Sequence, residues 1–201
     1  MRPTVLRTLL ATALLAYAGS AMPASLTVHV ADQSAAPVED AVVYAIPTGP
    51  VVVNRSPANV EIAQVKLAFT PLVTVVQTGG SVAFPNRDTV RHHVYSFSPA
   101  KIFELRLYAG LPATPVVFDK PGLVVLGCNI HDRMVAYVMV VDTPWYGKTS
   151  ADGHVKIAGL PAGEYKVAVW NPRLKADGMP KTVNVTADAS VDTVVDLKPA
   201  S

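Results

Sequence analysis

Gly127-Cys128-Asn129-Ile130-His131-Asp132-Arg133-Met134 is the stretch on which the reading of this chain turns. It holds the chain's single cysteine, and a thiolate, an imidazole and a thioether fall between Cys128 and Met134. Gly122-Leu123-Val124-Val125-Leu126 leads in as an apolar run, and Val135 to Val141 leads out as a second, rich in valine. A short loop between two buried strands can fold Cys128, His131 and Met134 onto one point. A further ligand must then come from a distant strand. Arg91-His92-His93-Val94 supplies the candidate, just after the turn Asn86-Arg87-Asp88. Adjacent strand residues face opposite ways, so one histidine of the pair points to the site, and alternation favours His92 over His93.

Two His, one Cys and one Met make the ligand set of a blue-copper centre. Thiolate and thioether suit Cu(I), and imidazole suits both copper states. A trigonal His2Cys plane with a weak axial Met needs little rearrangement when the metal changes charge. The apolar flanks Leu123 to Leu126, Val135 and Val138 keep such a site dry, and Asn129 with its neighbours offers backbone donors to the sulfur. Zinc also accepts a His2Cys site, but the thioether and the dry flanks favour one type 1 copper ion. Other ionisable groups have plainer readings. His29 lies in an alternating strand, His154 follows an Asp-Gly turn, and Glu104 is a charge on the flank. No Ser-His-Asp set and no paired carboxylates mark a catalytic centre, so an enzyme is not expected.

The first 24 residues have the form of an export signal. Arg2 and Arg7 precede the apolar run Thr8 to Ala18, and small residues follow at Gly19, Ser20, Ala21 and Ala24. The run is too short to span a bilayer, and cleavage is expected after Ala21 or Ala24. Removing residues 1–24 takes away two arginines and no acid, so a formal net charge of +2 becomes zero. That balance gives no argument for nucleic acid, which needs a clustered positive surface, and none is expected as a partner. No later segment is apolar and long enough to span a membrane. A periplasmic or secreted location follows, where an unpaired cysteine needs a function or burial.

Alternating apolar and polar residues dominate the rest, broken by 17 prolines and 12 glycines. Short strands with turn signals at this spacing predict an all-β sandwich or barrel. Leu26 to Val30 and Val38 to Ile46 form the expected hairpin, and residues 47–60 a connector. Lys101 to Tyr108 is open between a short helix and an irregular loop. Glu164 to Trp170 alternates cleanly, with Tyr165, Val167 and Val169 on one face.

With these residues in view, the Cys-x2-His-x2-Met loop resembles the cupredoxin family (plastocyanin, pseudoazurin, amicyanin), and its spacing is most like the short-loop amicyanin type. Val82-Ala83-Phe84-Pro85-Asn86-Arg87-Asp88-Thr89-Val90-Arg91-His92-His93-Val94 is similar to the family's first-histidine segment. The resemblance covers residues 60–142 and extends to plastocyanin-like chains labelled methylamine utilization proteins. It implies a Greek-key β-sandwich and His92, Cys128, His131 and Met134 as copper ligands. His93 stands where most cupredoxins carry an Asn that ties the ligand loops together.

Thr149 to Gly153 and Leu160-Pro161-Ala162-Gly163-Glu164-Tyr165 resemble the carboxypeptidase regulatory-like, transthyretin-type sandwich, and residues 25–46 its opening strands. Related chains carry Trp-His-Pro where Trp170-Asn171-Pro172 stands here. The organisation implied is a signal peptide (1–24), opening strands of that sandwich (25–50), an inserted cupredoxin domain (51–142), and the remaining strands (143–201). Trp145 and Tyr146 read as a packing pair between the two modules. The function expected is one-electron transfer with redox partner proteins. Copper storage, delivery or sensing is an alternative, as is an envelope module binding glycan or protein with an incidental metal.

Overall fold

The structure is a computed structural model that describes residues 23–51, 53, 56–112 and 114–199. All but the last two residues of the expected leader lie outside the described residues. The fold is all-β, and among the described residues no helix is long and apolar enough to cross a membrane. The strands run β1 (Ala24–Asp32), β2 (Val42–Pro47), β3 (Asn59–Glu61), β4 (Ala63–Val65), β5 (Ala68–Thr70), β6 (Val73–Gln77) and β7 (Ser81–Ala83). They continue as β8 (His92–Ser98), β9 (Lys101–Tyr108), β10 (Val116–Val117), β11 (Gly122–Gly127) and β12 (Val135–Val141). The last are β13 (Tyr146–Lys148), β14 (His154–Leu160), β15 (Gly163–Trp170), β16 (Lys181–Val185) and β17 (Ala189–Val195).

Two sandwiches result. In the first, the sheet β14-β1-β17 faces the sheet β13-β2-β15-β16. Alternation explains the packing: Leu26, Val28 and Val30 of β1 point inward with no exposure and meet Val43 and Ala45 of β2 and Tyr165 and Val167 of β15. In the second, the five-stranded sheet β6-β12-β11-β8-β9 lies over β10-β7-β3 and the small hairpin β4-β5. Its core joins Val94, Val124, Leu126, Ala136 and Val138 to Ile62, Phe69, Val82, Phe84 and Phe118.

Strand β12 shows why its sequence is apolar on both faces. Ala136, Val138 and Val140 enter the second core. Met139 and Val141, with Tyr137 beside them, turn the other way and pack on Val42 and Trp170 of the first sandwich. A strand with two covered faces loses polar alternation. Lys148 reinforces this junction by donating to Asp40 Oδ1 at 2.6 Å and to the Val73 carbonyl at 2.8 Å.

Three expectations change. The first two strands are not a hairpin: β1 pairs with β14 and β17, and β2 with β13 and β15. Asp32 Oδ1 caps a turn by accepting from the backbone of Ser34 and Ala36, and Asp40, at φ 57°, then redirects the chain to the facing sheet. Residues Lys101–Tyr108 form an edge strand, neither helix nor loop. Trp145 is core to the first sandwich, its indole edge-on to Tyr165 and its Nε1 donating to the Gly159 carbonyl at 2.9 Å. Tyr146 does lie in the cluster shared by the two sandwiches.

Candidate metal centre

Strands β11 and β12 pair from Gly122 with Val140 to Gly127 with Val135, so Cys128 to Met134 closes a hairpin. Within it the Met134 amide donates to the His131 carbonyl at 2.9 Å, and the Val135 amide to the Arg133 carbonyl at 3.1 Å. This tight return brings His131 Nδ1 to 3.7 Å from Cys128 Sγ. Strand β8 begins at His92 and meets β11 where Tyr95 pairs with Gly127. A side chain at 127 would have to displace the Tyr95 ring, because a Cβ there would stand 2.8 Å from Tyr95 Cζ. The His92 ring then lies edge-on to His131, with centroids 5.0 Å apart.

One ligand atom each from His92, Cys128 and His131 falls within 4.8 Å of the others. His92 is fully buried, Cys128 is 4% exposed and Met134 is 1% exposed, while His131 is half-buried and meets solvent. Cys128 and Met134 both belong to the second core, so the sulfurs enter an apolar setting. His92 Nε2 is 2.8 Å from Asp88 Oδ2, and His92 Nδ1 is buried with no hydrogen-bond partner. A buried imidazole nitrogen without a partner is costly, and a metal beside a thiol would satisfy it. The donor set is soft sulfur and imidazole, which fits copper.

His93 takes the other side of β8. Its Nε2 lies 3.0 Å from Glu104 Oε1, and with Glu104 and Asn129 it lines a neighbouring cavity of about 380 Å³. Glu104 thus engages His93, and neither belongs to the three-residue cluster. His29 stacks on His154 at 4.3 Å, on the first sandwich.

Asp88 is the group that sequence reasoning treated only as a turn residue. Its carboxylate accepts from the Lys66 amide at 2.6 Å and the Leu67 amide at 2.9 Å as well as facing His92. The Leu67 amide, then His92 and Lys66, hold its carboxyl below the ordinary range against the opposing effect of burial. Asn86 braces the same loop, donating to the carbonyls of Val90 at 2.8 Å and Tyr108 at 3.0 Å. The Tyr108 hydroxyl donates to the Phe84 carbonyl at 2.7 Å and meets the Gln64 side-chain amide. Burial pushes the Tyr108 phenol up to about 12, with Cys128 adding to the rise and Gln64 opposing it. The only local sign of Asp88 was an acid four residues before His92.

No protein-family model matches the chain, and no curated protein sequence does. Solved structures similar to it include a purple cupredoxin from Nitrosopumilus maritimus, at 22% identity and a TM-score of 0.36 over 40% of this chain and 98% of that one. Amicyanin from Paracoccus versutus is 15% identical, with a TM-score of 0.36 over 45% of this chain and 96% of that one. A Cu-containing nitrite reductase from Thermus scotoductus is 24% identical, with a TM-score of 0.39 over 47% of this chain. The chain spans 25% of that reductase's length.

Proposed function

We propose that this chain is an exported cupredoxin-type blue-copper protein that carries single electrons and is not an enzyme. One observation carries the reading: His92, Cys128 and His131 bring their ligand atoms within 4.8 Å of one another, beside a His92 Nδ1 that lacks any other partner. When bound, one copper ion supplies the one-electron chemistry. His92, Cys128 and His131 hold it, and Met134 offers the thioether. Leu126, Val94 and Phe84 exclude water from the buried side. His131, half-buried, is the member of the set nearest to a redox partner protein. Residues 51–142 form the electron-carrying domain, and residues 25–50 with 143–201 a transthyretin-type support. Export to the periplasm or beyond follows from the leader at residues 1–24.

The test is cupric titration of the purified protein. An intense thiolate-to-copper charge-transfer band is expected, and Cys128→Ser removes it. A colourless wild-type preparation ends the electron-carrier reading. Quantitative transfer of the copper to a weak chelator indicates delivery instead, and glycan binding unaffected by copper indicates an envelope module.

A further inference from the structure

We propose that Asp88 is the positioning residue of the centre: its carboxylate takes the Nε2–H of His92, fixes that tautomer, and so reserves the Nδ1 lone pair for the metal. The inference rests on the copper reading above. Three contacts on one small group carry it. Asp88 Oδ2 stands 2.8 Å from His92 Nε2, and the same carboxylate accepts the amides of Lys66 and Leu67 at 2.6 and 2.9 Å. The side chain is 13% exposed and His92 not at all, so the pair is shielded from competing water. Its backbone is fixed too, the Asp88 amide donating to Asn86 Oδ1 at 3.0 Å.

The backbone at Lys66 and Leu67 supports this. Both sit at positive φ, 52° and 59°, which L residues avoid unless the surroundings hold them there. Their amides converge on Asp88, so the β4-β5 turn orients the carboxylate and the carboxylate orients the imidazole. A carboxylate behind a ligand imidazole fixes its tautomer and makes it a more basic ligand. A more basic imidazole stabilises Cu(II) over Cu(I). Asp88 is thereby a determinant of copper affinity and of reduction potential, although it stands outside the ligand set.

The experiment compares wild type with Asp88→Asn in two states. In the metal-free protein, nitrogen-15 NMR of the histidine rings is expected to show His92 protonated at Nε2 and bare at Nδ1, with that preference weakened in the variant. In the copper protein, Cu(II) affinity is expected to fall roughly 10–100-fold while the blue band persists. If Cu(I) affinity holds, each tenfold loss raises the potential by about 59 mV for this one-electron couple. Adding Leu67→Gly removes the backbone conflict, and the double variant carries the measurement if the single variant folds poorly. Recovery of stability without recovery of potential supports the assignment. Recovery of both, or a wild-type His92 protonated at Nδ1, overturns it and leaves Asp88 as a clamp on the turn. A bare Nδ1 in a protein that never turns blue sinks the copper reading while the tautomer assignment stands.

Discussion

The two sandwiches treat buried polar groups differently. In the first, Thr149 accepts the Ala41 amide at 2.9 Å and donates to the Val38 carbonyl at 2.6 Å, Thr143 donates to Ala45, and Asn171 donates to Glu39. In the second, Gln64, Thr74, Gln77, His92 and His93 each bury an atom without a partner. Among the described residues all such atoms fall in that half. Burying an unpaired polar group costs free energy, so it persists where something else requires it. The first sandwich pairs its buried polar groups, and the second leaves bonding capacity unspent, at two histidines of β8, at Gln64 and on β6.

This contrast can be broken by mutation. The largest effect is expected from Tyr165→Ala, which empties a fully buried site in the first core and removes the hydroxyl's bond to Pro161. It should cost about 3–5 kcal/mol in denaturant unfolding and leave copper affinity unchanged. A parallel loss of affinity means that the halves do not act separately. Thr149→Val strands two backbone groups and should cost about 1–3 kcal/mol. Thr74→Val removes an orphan, so it should be neutral or stabilising by up to about 1 kcal/mol. Equal costs at the two threonines erase the distinction drawn above.

An effect confined to one pH window appears in alkali. Tyr108 is raised to about 12 in the fold from an ordinary value of 10. Its neutral form is the one the fold favours. The stability it contributes is whole below 10 and is lost as pH rises from 10 through about 12. Tyr108→Phe should flatten the stability profile across that window, read by denaturant midpoints at each pH.

The parts of the centre legible in the sequence were those fixed by local geometry. Cys128 and His131 of the three-residue cluster lie on one loop, and alternation separates His92 from His93. Asp88 was illegible because its role depends on Lys66 and Leu67, 22 and 21 residues away, meeting it across a turn. Alternation likewise says that β1 and β2 are strands but not which strands they pair with. Residues Lys101–Tyr108 misled for a different reason. The pairing of His92 with Tyr108 and of Val94 with Leu105 leaves one extra residue in β9. That bulge makes both Leu105 and Tyr108 face the core at a spacing of three, which imitates a helix. It also leaves Leu107 exposed, while Ile102 faces outward by ordinary alternation opposite the exposed Phe97.

Strand β12, with one face given to each core, has a consequence for how the loop from Cys128 to Met134 can vary. Sliding it by one position would exchange Ala136, Val138 and Val140 for Tyr137, Met139 and Val141, and both packings would fail together. An amino acid inserted between Cys128 and Met134 therefore has to balloon outward at the rim, since the rail beneath it is locked.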